Sequence, residues 1–179
     1  PPDPLEEKAL PNNMIPIKAV FNDEFVLQGY TVEPGVSRPG ESIEVTLYWI
    51  ALTQIDADYN LALNVHGKGY ENIGKLDTWP GGGLLPTGSW EANKLYPDRY
   101  VLRLAKGAAV PAVLLLDVSF WENDLANKLP IKVGNGKSVS SLMLHVGSMI
   151  ETEPINVSPS FTDGSNLEQG ITCLLYTSD

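Results

Sequence analysis

SIEVTLYWIA, residues 42–51, alternates with a period of two: Ile43, Val45, Leu47 and Trp49 fall on one side, Glu44, Thr46 and Tyr48 on the other. Successive side chains of an extended chain point opposite ways, so this alternation writes a β-strand with one buried face. A helix would bring together positions three and four apart. No stretch of the chain keeps that period between helix caps.

The same writing recurs on both sides. Upstream, IKAVF (17–21) and FVLQGYTV (25–32) read as shorter strands. Downstream, DYNLALNVHG (58–67) turns Tyr59, Leu61, Leu63 and Val65 inward, and RYVLRL (99–104) turns Tyr100, Leu102 and Leu104 inward. VLLLDVSFW (113–121) does so with Leu114, Leu116, Val118 and Phe120, leaving Asp117 and Ser119 outward. VSSLMLHVG (139–147) does so with Leu142, Leu144 and Val146. Pro39-Gly40, Gly67-Lys68-Gly69 and Asn135-Gly136 punctuate these runs, and the last is a favoured two-residue hairpin turn. Seven or more short strands spaced by turns predict an all-β, two-sheet antiparallel sandwich.

Composition narrows the function. The chain has 179 residues, 43% hydrophobic and 19% charged, which is enough apolar matter for one core and too little charge for a disordered polyelectrolyte. Its net charge of −10, with 12 scattered basic residues, argues against nucleic acid as a partner. No apolar run approaches the roughly 20 residues that span a bilayer, so no membrane insertion is expected of this stretch. Cys173 is the single cysteine, which excludes an internal disulfide and a thiolate zinc cluster.

Three segments follow. Residues 1–14, PPDPLEEKALPNNM, read as a proline-rich linker; residues 15–150 hold the sandwich; residues 151–179 read as a linker and the truncated start of a second copy. The second copy rests on an echo: Phe21, Asp23, Leu27, Gln28 and Gly29 find counterparts in Phe161, Asp163, Leu167, Gln169 and Gly170. The last residues, CLLYTSD, resemble the translated read-through of a sequencing adapter. With Pro1 where a Met would stand, the chain is expected to be a fragment of a longer protein.

FVLQGYTVEP, SRPGESIEVTLYWIAL, DYNLALNVHGK, PGGGLLPTGSW and PDRYVLRL, in that order, resemble the Ig-like β-sandwich domains that follow the membrane-spanning part of some bacterial glycosyltransferases of the dolichyl-phosphate-mannose type. The resemblance covers roughly residues 15–147. It implies an Ig-like sandwich and an extracytoplasmic place in a bacterial envelope. The transferase activity belongs to the membrane part and does not carry over. The chain departs from the family at Pro111-Ala112-Val113-Leu114, where Pro-Gly-x-Tyr is usual, so a strand-corner hydroxyl is lost while Leu114 keeps an inward position.

The stretch with the most chemical promise is TWPGGGLLPTGSW, residues 78–90. A phosphate cradle needs a helix after its glycines, and none is written after Gly83. An oxyanion hole needs a nucleophile elbow such as G-x-S-x-G, which the chain lacks. The plain reading is a long inter-strand loop whose glycines take backbone angles other residues avoid. A sugar-binding reading competes with it: Trp79 and Trp90 could stack on sugar rings, with Asp77, Thr78, Thr87 and Ser89 as hydrogen-bonding groups. The opposing expectation is that one or both tryptophans fold back and cap the sandwich.

Other candidates are weaker. His66 and His145 fall on polar strand faces, and two histidines without a third ligand make no zinc site. Asp56-Ala57-Asp58 reads as a solvated turn, not a calcium loop. Asp98-Arg99 reads as a surface ion pair or turn. The sequence therefore predicts no catalytic group, metal or cofactor. It predicts a non-catalytic accessory or spacer module, whose partners are neighbouring domains of the same chain or a glycan. The alternative is a carbohydrate-binding module using Asp77, Trp79, Thr87 and Trp90.

Overall fold

The computed structural model describes residues 10–151, apart from 125 and 135. In chain order the strands are β1 (Ile15–Phe21), β2 (Phe25–Glu33), β3 (Val36–Ser37), β4 (Ser42–Ala51), β5 (Asn60–His66), β6 (Asn72–Thr78), β7 (Leu95–Arg103), β8 (Ala112–Trp121), β9 (Ile131–Val133), β10 (Lys137–Val139) and β11 (Leu142–Met149). Among the described residues there is no α-helix, only short 3-10 turns at Lys68–Tyr70, Pro80–Gly83 and Thr87–Ser89.

The strands form two sheets, ordered β10-β9-β1-β2-β4-β7 and β3-β11-β8-β5-β6. One core lies between them. Ile43, Val45, Leu47 and Trp49 of β4 are all fully buried, facing Leu61, Leu63 and Val65 of β5 and Leu114, Leu116, Val118 and Phe120 of β8. Every inward position read from the alternation of β4, β5, β7, β8 and β11 is buried. Each such side chain contributes about 1.5–3 kcal/mol. At one end the core becomes aromatic. Phe25 contacts Trp49, Tyr59, Trp90 and Phe120, with ring centroids 5.1–6.1 Å apart.

Four features depart from the alternation. The second sheet is not wholly antiparallel: β3 pairs parallel with β11 through Ser148↔Val36 and Met149↔Ser37. The reason lies just upstream. Pro34 has no N–H to extend the β2 ladder, and the chain leaves the first sheet there. The β9–β10 hairpin is not joined by two residues, because Val133 pairs with Lys137 and leaves positions 134–136 between the strands. Tyr48, written as outward, is buried with Val26, Ile50 and Leu95 in a second apolar cluster on the outer face of the first sheet. Leu10 and Met14, from the segment read as linker, pack against that cluster. Ser119, also written as outward, has no exposed surface. The second-copy echo, Cys173 and CLLYTSD lie outside the described residues.

Candidate functional site

The glycine-rich loop leaves β6, crosses the end of the core and delivers the chain to β7. Gly81, Gly82 and Gly83 all take positive φ, at 65°, 63° and 92°. The glycines therefore supply left-handed backbone for a tight turn. A side chain at Gly81 would also collide, since a Cβ there would sit 2.6 Å from Cβ of Leu85.

What holds the turn is a buried carboxylate. The Gly81 amide donates to Oδ1 of Asp98 at 2.9 Å, and the Tyr100 hydroxyl donates to Oδ2. Asp98 is 1% exposed. Burial pushes its carboxyl up to about 6, against the lowering effect of the bonds from Tyr100 and Gly81. Burial, and then the neighbouring Asp98, raise Tyr100 far above the usual phenol range. Asp98 does not pair with Arg99. On a strand, neighbours in sequence face opposite ways, and Arg99 instead reaches Glu44 on β4.

The second half of the loop is tied down too. Thr87 Oγ1 donates to the Ala57 carbonyl at 2.6 Å and accepts from the Tyr59 amide at 2.9 Å. Asp58 Oδ1 accepts from the Gly88 amide at 2.9 Å, so this aspartate is a loop anchor rather than a solvated turn residue. Trp90 is fully buried. Its Nε1 donates to the Leu85 carbonyl at 3.1 Å, and its ring stacks on Tyr96 at 5.2 Å. A fully buried indole offers no face to a sugar, and the Thr87 hydroxyl is spent on backbone. These two of the four expected contact residues are structural.

The other two stay at the surface. Trp79 is 51% exposed, and Asp77 holds Lys75 at 2.7 Å while remaining partly open to solvent. They line a shallow depression of about 220 Å³ with Asn60, Thr78 and Trp121. Strand register builds it. Asn60 on β5 sits opposite Trp121 on β8, while Ala62 sits opposite Asp77 on one side and Ser119 on the other. Trp79, in extended backbone just past β6, continues the Asp77 side of that strand. Sequence reasoning missed Asn60 and Trp121. The outward position of Trp121 follows from the inward Phe120, but its neighbours follow only from the pairing of β5 with β8.

The remaining candidates do not converge. His66 stacks on Tyr70 at 4.1 Å, and His145 lies exposed on β11. Among the described residues no three His, Cys, Asp or Glu side chains are grouped to hold a metal ion. No helix of the described residues is long and apolar enough to cross a membrane. No protein-family model and no curated protein sequence matches the chain.

Proposed function

We propose that residues 15–150 form an Ig-like sandwich serving as a non-catalytic accessory or spacer module of a larger bacterial envelope protein, placed outside the cytoplasm. Strand order supports the Ig-like part. From β4 onward, leaving aside the β9–β10 hairpin that returns to the first sheet between β8 and β11, the chain visits the first sheet once, the second twice, the first once, then the second again through β8 and β11. That is the sequence of strands B, C, C′, E, F and G in an Ig domain. On this reading β2 and β3 are one first strand divided between the sheets, which accounts for the short parallel contact with the last strand. Trp49 on β4 packs edge-on against Phe120 on β8 at 5.3 Å, linking the two strands that a disulfide joins in antibody domains.

The observation that carries the spacer reading is the use of the loop. Trp90, Thr87, Asp58 and Asp98, its most reactive-looking neighbours, all serve to close one end of the core. A module built to persist needs such closure, and an active site needs some of those groups free. The test is a swap. Replacing residues 15–150 in the parent envelope protein by an unrelated Ig-like domain of similar span should preserve that protein's activity, while deleting them should not. Loss of activity in the swap would refute the spacer role. The carbohydrate alternative, expected around Trp79 and Trp90 with Asp77 and Thr87, is redrawn below around Trp79 and Asp77, since Trp90 and Thr87 are buried.

A further inference from the structure

We propose that the depression between Trp79 and Trp121 binds a neutral pyranose of a polysaccharide. Asn60 pairs with Trp121 at the ends of β5 and β8, and Trp79, one residue past the end of β6, lines the same depression. This sets an amide beside two indoles on one sheet face. Trp79 presents about half of its surface to solvent, while Trp121 is 8% exposed and serves as wall. The apolar face of a sugar ring stacks on such an indole, and this accounts for an exposed tryptophan that the core does not use.

The next row along the same face is Asp77–Ala62–Ser119. Of these only Asp77 lines the depression, while Ala62 and Ser119 are buried beside it.

The Asn60 side chain makes no hydrogen bond among the described residues, and its amide can donate and accept at once. Asp77 gives Oδ2 to Lys75 and leaves Oδ1 to accept. A vicinal diol needs this mixture of donors and acceptors around its ring. The carboxylate, on a chain of net charge −10, also repels uronate and phosphate groups, which selects a neutral sugar.

The test is native affinity electrophoresis of the full 179-residue chain in gels containing soluble mannan, galactan or mixed-linkage β-glucan, with polygalacturonate as the anionic control. At least one neutral polymer should retard the chain, and polygalacturonate should not. Trp79→Ala and Asn60→Ala should weaken retardation by about tenfold or more, as truncation of an aromatic anchor does. Trp79→Phe, which keeps a flat face, should retain part of it. Leu84→Ser, on the same loop but outside the depression, should change nothing. Thermal melting of each variant separates lost binding from lost folding. Absence of retardation by every neutral polymer, retardation of Trp79→Ala equal to the parent chain, or equal retardation by polygalacturonate would each overturn the proposal.

Discussion

The Gly81 amide and the Asp98 carboxylate meet at 2.9 Å, across 17 residues of chain, beneath the turn that carries Trp79. One carboxylate thus anchors the loop, and its environment makes it sensitive to pH. Its acidity is shifted from an ordinary value near 3.8 to about 6, chiefly by burial. The folded state therefore holds this proton more tightly than the unfolded state does. The associated stability is complete below about pH 3.8 and is lost as pH rises through about 6. Urea unfolding midpoints should show the difference between the parent chain and Asp98→Asn changing across that window and constant above it. A difference independent of pH would mean that Asp98 titrates normally.

Trp90 and Trp79 should separate cleanly. Trp90 is fully buried among Phe25, Trp49 and Tyr96, so Trp90→Ala should cost about 3–5 kcal/mol in chemical denaturation. Trp79→Ala, at an exposed position, should cost less than about 1 kcal/mol. Equal losses would contradict the placement of the two rings.

Thr87→Val keeps the shape of the side chain and removes both of its hydrogen bonds. The Ala57 carbonyl and Tyr59 amide would then be left unpaired, at a cost of about 1–3 kcal/mol for a buried group. Faster amide exchange at Tyr59 is the specific signature to measure.

The glycines of the loop should not be equivalent. Gly81 and Gly82 have nearly the same positive φ, but only at Gly81 would a Cβ strike a neighbour, Leu85. Gly82→Ala should cost about 1 kcal/mol from backbone strain alone. Gly81→Ala should cost distinctly more, and melting temperatures of the two variants decide the order.

The inward faces of the strands were legible because burial on one side of a sheet imprints period two directly on sequence, as in Ile43, Val45, Leu47 and Trp49. Tyr48 was misread because its cover, Leu10 and Met14, comes from a proline-rich segment with no periodicity of its own. The candidate site was half legible. Trp79 and Asp77 stand out by composition, yet their partners Asn60 and Trp121 are set by strand register, which couples residues far apart in sequence. Trp90 resembled Trp79 in sequence, and only the path of the loop over the core separates their fates.

The first strand also has a long wait for its neighbour. β1 is flanked on one side by β2, made directly after it, and on the other by β9, whose Ile131, Lys132 and Val133 pair with Phe21, Val20 and Ala19. During synthesis the outer edge of β1 has nothing to bond with until more than a hundred residues have followed. β3 waits as long, for the final residues of β11. An open strand edge is a template for pairing with other chains. This domain is therefore most prone to aggregate as a nascent chain, and it can close only as a unit, once its last strand has been made.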